Sequence, residues 1–160
     1  MADVWIVNAS PLIALAHAHK LELLEKLPAE LVVPEAVVEE ILAGPDDPAL
    51  RALASGWGPR RTAAVLQEVA EWGLGKGESA VLALALELDA TAVVDDRSAR
   101  RCAKTLGISV IGTFGVIVRA KKHGLIAAAQ PVIRSVVDAG LYYDDDAIRT
   151  LLSSLGESWS

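Results

Sequence analysis

Four short apolar runs recur along the 160-residue chain: VWIV at 4–7, LVV at 31–33, TAVV at 91–94 and SVI at 109–111. Each is followed by a stretch of helical character. A run of mostly β-branched and aliphatic residues has no polar face, so as a strand it must be covered on both sides. Strands of this kind alternating with helices specify a mostly parallel central sheet between helices, a three-layer α/β/α sandwich. In right-handed βαβ units the C-terminal ends of the strands and the N-termini of the following helices share one edge of the sheet. Ligands of open α/β sheets bind along that edge.

The helices can be placed from their signals. Ser10 is predicted to cap a helix with Pro11 at its first position, running through Ala18. LELLEKL at 21–27 forms a second, short helix. Pro34 opens the helix EAVVEEILA, which ends at Gly44, and a further short helix spans 47–54. TAAVL at 62–66 is predicted as an edge strand. The segment from Glu78 to Leu88 is apolar nearly all round and should be deeply buried. An amphipathic helix covers 97–106. Three more follow at 114–123, 131–139 and 145–155, the last with Ile148, Leu151, Leu152 and Leu155 as its apolar stripe. With no repeat or interdomain linker, one domain over 1–160 is expected.

Apolar residues make up 52% of the chain and aromatics only 4%, so the core is aliphatic. No apolar run reaches the roughly 18 residues of a membrane span. MADVWIV lacks the basic lead and long apolar stretch of a secretory signal. One cysteine, Cys102, excludes an intramolecular disulfide and a Cys-rich metal site. A cytoplasmic protein without a membrane partner fits best. The net charge of −6 argues against a bulk electrostatic grip on nucleic acid. It leaves room for a nucleic-acid enzyme whose negative charge is concentrated in a metal site beside basic residues.

Several oxygen-bearing side chains fall on the ligand edge. Asn8 follows the first strand directly, and Asp95 and Asp96 follow TAVV. Glu78 begins the helix leading down to that strand. Glu40 lies one to two turns into the helix after the second strand. Several carboxylates in one place repel unless a cation sits among them, and oxygen-only donors suit Mg²⁺ or Mn²⁺. Each residue also has a plain structural reading. Asn8 serves equally as a turn residue, Glu78 as a charge at a helix N-terminus, and Asp96 as a helix cap. Glu39 and Glu40 flank the stripe Val37, Val38, Ile41 and Leu42 about equally, so periodicity does not choose between them. Beside the acids, Arg97, Arg100, Arg101 and Lys104 recur at helical spacing, as a solvated face or a phosphate-facing stripe.

NASPLIALA, PEAVVEEIL, GKGESAVLALALEL and VVDDRSARRCAKTLGISVIGTFGVIVRAKKHGLI, in this order, resemble a prokaryotic branch of the PIN-domain family. The resemblance runs over nearly the whole chain and is strongest from Gly75 to Ile126. It implies a small α/β nuclease in which three or four acidic residues hold Mg²⁺ or Mn²⁺ and RNA is cleaved. It further implies a homodimer and, in many members, a toxin paired with a small antitoxin protein. Carried over, the family acids fall on Asn8, Glu40, Glu78 and Asp96, with Asp95 as the alternative for the fourth. Ser10 matches the small hydroxyl residue two places after the first acid. Ser10, Arg97 and Arg101 would contact the RNA.

Asn8 departs from the family pattern, which has aspartate there. Asparagine keeps a carbonyl oxygen for a cation but removes one negative charge. Two opposite unit charges 4 Å apart are worth on the order of 4 kcal/mol at an effective dielectric near 20. The implied outcome is weaker metal binding and weak or absent hydrolysis. Two readings follow: a metal-dependent endoribonuclease, or a catalytically weakened PIN-like module that binds RNA or a protein partner. A receiver-type phosphoacceptor fits less well, because its acidic pair should follow the first strand.

Overall fold

Strands β1 (Val4–Val7), β2 (Glu30–Pro34), β3 (Arg60–Arg61), β4 (Thr91–Val93) and β5 (Val110–Ile111) form one sheet in the order β3-β2-β1-β4-β5. Every pairing is parallel. The computed structural model describes residues 3–141 and 143–160; residues 1, 2 and 142 of the expected 1–160 unit lie outside the described part. β1 is central, pairing Ile6 with Val32 on one side and with Ala92 on the other. Ile6, Val7, Val33, Ala92, Val93 and Val94 are all fully buried, as unbroken apolar runs require in a sheet covered on both faces.

The helices are α1 (Ala9–His17), α2 (Glu22–Lys26), α3 (Glu35–Leu42), α4 (Pro48–Ala54), α5 (Gln67–Ala70), α6 (Lys76–Leu88), α7 (Arg97–Thr105), α8 (Thr113–Lys122), α9 (Gln130–Asp138) and α10 (Asp145–Ser153). α6 packs on β1, β2 and β4, with α3 and α7 against it. α1, α8 and α9 pack on one another, and α2 packs on α8. No helix among the described residues is long and apolar enough to cross a membrane.

Some expectations need correction. Residues 62–66 form no strand; the edge strand is Arg60–Arg61, held to Val33 and Pro34. TAAVL carries β-type residues, but Val65 stands free in solvent, so nothing there rewards pairing. α5, absent from the expected elements, is four residues long and too short to show a helical period. Ser10 does not cap α1. The helix starts two residues earlier, at Ala9, with Asn8 in the cap position, so Pro11 sits third, where its missing N–H still costs no helical bond. Pro34 closes β2 and stands in the cap position of α3, which begins at Glu35 as expected but ends at Leu42, short of Gly44.

Asp47 and Asp144 cap α4 and α10 through their side chains. Glu157, far along the chain, caps α9, its two carboxylate oxygens accepting from Ala129 N and Gln130 N at 2.9 Å each. Burial pushes this carboxyl upward, but those two bonds and nearby Lys121 outweigh it and hold Glu157 below the usual carboxylate range.

Candidate metal and nucleic-acid cleft

The order 3-2-1-4-5 reverses direction at β1, and a crevice opens outside the strand ends at that reversal. A cleft of about 840 Å³ lies there. Asn8, Ser10, Glu40, Glu78, Asp95, Asp96, Arg97 and Arg100 all line it. Asn8 is brought in by the end of β1, whose pairing continues through Asn8 N to Val93 O at 3.0 Å. Asp95 and Asp96 arrive from the end of β4, and Glu78 from the first turn of α6. Glu40 reaches the cleft from α3. Glu39, its equal by periodicity, does not line it.

Gly77 shows how closely these groups approach. A Cβ placed there would lie 3.0 Å from Glu40 Oε1 and 3.6 Å from Asn8 Oδ1. The first turn of α6 thus receives two oxygens against its backbone, with Glu78 one residue on. The positive end of a helix favours negative charge by roughly 0.3–1 kcal/mol per group. That offsets part of the repulsion within the cluster.

Asn8 is only 5% exposed, and its side chain does not cap α1. Among the described residues its amide has no hydrogen-bond partner, yet no buried polar side-chain atom there is left both unpartnered and shut off from solvent. The amide therefore opens into the cleft. Glu78 has its carboxyl pushed above the ordinary value of 4.5, first by burial, then by the charges of Asp96 and Glu40, against a lowering backbone hydrogen bond with Gly75. Glu78 thus feels the charges of acids from two other segments across this cleft.

Asp95 and Asp96 have different duties. Asp95 Oδ1 accepts from Thr113 N at 2.8 Å and Asp95 Oδ2 from Thr113 Oγ1 at 2.6 Å. Thr113 is fully buried, so Asp95 fastens the end of β4 to the start of α8. Ser10 Oγ lies 3.5 Å from Asp95 Oδ2. Asp96 caps α7, accepting from Ala99 N at 2.9 Å through Oδ2. Its charge reaches Glu78, which Asp95's does not visibly do. Asp96 is therefore both a cap and a member of the acidic cluster.

Of the arginines, Arg97 lines the cleft and Arg101 does not. Arg100, which the resemblance does not assign to the RNA, lines it instead and donates through Nη1 to Val94 O at 3.1 Å. The spacing that singled out the whole stripe contained Arg100; the phase of α7 against the sheet was needed to select it.

The donor set suits a hard divalent cation: oxygens only, three of them acidic, around a helix N-terminus. Among the described residues, no three Asp, Glu, His or Cys side chains close on one point at ligand distance. Like charges hold apart, and Asp96 Oδ2 is engaged by α7. Closing the set needs side-chain rotation, which the exposed Glu40 can supply.

One consequence can be checked at Gly77. In Gly77→Ala the new methyl meets the free end of Glu40, which swings away cheaply, while a helical glycine is removed. Metal-free stability should stay level or rise by up to about 1 kcal/mol. Mn²⁺ affinity should fall about tenfold, because Glu40 is displaced. Melting curves with and without Mn²⁺ measure both.

A parallel doubly wound sheet with an acidic cleft at its reversal point defines a class of α/β proteins whose site is built from strand ends. The DUF3368 family model, a PIN domain, matches residues 4–157, and the chain belongs to the PIN-domain family. PIN domains are generally nucleases and typically use divalent metals. Among solved structures, PAE2754 from Pyrobaculum aerophilum is similar at 22% identity and a TM-score of 0.53, over 74% of this chain and 96% of that one. The PilT N-terminus domain protein SSO1118 from Sulfolobus solfataricus P2 is similar at 17% identity and a TM-score of 0.47, over 88% of this chain and 97% of that one. No curated protein is significantly similar to the chain.

Proposed function

We propose that the chain is a metal-dependent endoribonuclease of the PIN type. The observation that carries this reading is the convergence of Glu40, Glu78 and Asp96 on one cleft, where Glu78 feels both other charges. Glu40, Glu78 and Asp96, with Asn8 as a neutral donor, would hold Mg²⁺ or Mn²⁺. When bound, such an ion polarises a phosphoryl oxygen and acidifies a coordinated water. Arg97 and Arg100 hold the phosphate backbone from the cleft wall, offsetting the chain's net negative charge locally. Ser10, at the mouth of α1 beside Asp95, would orient the water shell of the metal.

A second reading is a weakened module that binds RNA or a protein partner. It is favoured by the neutral Asn8 and by the open arrangement of the acids. A calorimetric Mn²⁺ titration paired with cleavage of a labelled single-stranded RNA separates the two. The nuclease reading expects one saturable metal site and strand scission that stops with a chelator. Binding of RNA without scission at saturating Mn²⁺ would establish the module. The antitoxin partner, the toxin role and the homodimer rest on the family resemblance alone. A short reading frame beside the gene tests the first two, and sedimentation tests the third.

A further inference from the structure

The cleft is larger than a metal site needs. At about 30 Å³ per water, a cation with six waters takes roughly 200 Å³, against about 840 Å³ here. Its two sides also differ in chemistry. The acids come from α3, α6 and the end of β4, and the arginines from α7. Another part of the lining carries no polar side chain: Val110, Ile111, Phe114 and Leu141, with Gly112, Gly115 and Gly140. Phe114 is the chain's one phenylalanine and the one aromatic among the described residues that line this cleft. It is half-buried, with part of the side chain left to the cleft.

Phe114 is also firmly mounted. On one side, Thr113 is fully buried and tied twice to Asp95. On the other, a Cβ at Gly115 would come within 2.7 Å of Ile111 Cγ1, so the first turn of α8 is pressed onto β5 with no space to spare. Across Gly112, Arg100 Nη1 would stand 2.7 Å from an added Cβ, so the guanidinium lies directly over bare backbone. The same Asp95 that fastens Phe114's neighbour stands next to Asp96. The acidic cluster, the guanidinium and the aromatic ring are thus held in one rigid frame.

We propose that Phe114 is a base-stacking residue. It would receive one unpaired nucleobase of the strand whose phosphate is held by Arg97 and Arg100. A strand needs a flat apolar surface next to a cationic one, and stacking on an aromatic ring tolerates any base because every base has a π-face. A duplex cannot deliver a base to this wall without unpairing it. This proposal rests on the nucleic-acid reading above and gives the cleft its second half.

The test is a cycle between protein and ligand. Binding of a short single-stranded RNA carrying 2-aminopurine is followed with Mn²⁺ by stopped flow, before scission accumulates. The same strand with an abasic site is the second ligand. Phe114→Ala should weaken binding of the complete strand about ten- to a hundredfold, while Phe114→Tyr should stay within about threefold. The abasic strand should bind the unsubstituted chain more weakly by a similar factor, and Phe114→Ala should then change nothing further. The abasic arm uses the unaltered protein, so a folding defect in the alanine variant cannot produce the result. Equal loss on both strands, full affinity in Phe114→Leu, or no binding by the unsubstituted chain would each overturn the proposal. Scission is scored separately. Scission without base coupling removes the stacking role alone. Base coupling without scission removes the nuclease reading alone.

Discussion

Asn8→Asp is expected to tighten Mn²⁺ binding about ten- to a hundredfold and to raise RNA cleavage with it. The substitution leaves the shape of the side chain almost unaltered and adds one negative charge to the cleft. The Coulomb gain on a cation 4 Å away is on the order of 4 kcal/mol at an effective dielectric near 20. Part of it is offset because the new carboxylate must give up its water at a position only 5% exposed. Without metal the variant should be less stable, by about 1–2 kcal/mol, since an unpartnered charge joins Glu40 near Gly77. The N-terminus of α6 moderates that loss. Metal should recover it by binding only the folded state. Paired Mn²⁺ titrations followed by melting temperature measure all three effects. If Asn8 serves only to turn the chain into α1, the two proteins will give parallel curves.

Glu78→Gln should act in the opposite sense on metal and on bare stability. Losing the central acid should lower Mn²⁺ affinity and cleavage by about a hundredfold or more. The metal-free protein should become more stable at neutral pH, because a carboxylate held among Asp96 and Glu40 is neutralised. The pH dependence carries the sign. Glu78 has a folded pKa above its ordinary value of 4.5, so the folded state binds this proton more tightly than the unfolded chain does. Its contribution is therefore fully present below about 4.5 and is lost as pH rises through the raised folded value. In Glu78→Gln that part of the pH dependence should vanish. Denaturant melts across this window, in chelator, provide the measurement. An unchanged Mn²⁺ affinity would return Glu78 to the role of a charge at a helix N-terminus.

Both variants act where the fold and the site meet, and much of that meeting point was legible in the chain. Strands buried on both faces must be apolar throughout, so VWIV, LVV, TAVV and SVI announced themselves without any partner in view. Once they are parallel, connectivity alone sends Asn8, Asp95, Asp96 and the start of α6 to one edge. That part of the site follows from the order of elements, which is why it could be placed from one sequence. The motifs from Gly75 to Ile126 named the family for the same reason: they are local strings, and local strings are what a sequence displays.

The choices within that edge were of another kind. Glu40 and Glu39 are equivalent on α3 until α6 packs alongside and presents Gly77 to one of them. Asp95 and Asp96 are adjacent, and only Thr113, eighteen residues on, takes both oxygens of the first and leaves the second to the cluster. Arg100 rather than Arg101 lines the cleft because of the rotation of α7 against the sheet. The edge strand at Arg60–Arg61 is two exposed residues with no hydrophobic period, fixed by the free backbone of β2 beside them. The layers, the edge and the family follow from the order and composition of the chain. Which of two neighbouring side chains enters the cleft is a matter of packing angle and of bonds between distant residues, and those exist only once the helices have closed on the sheet.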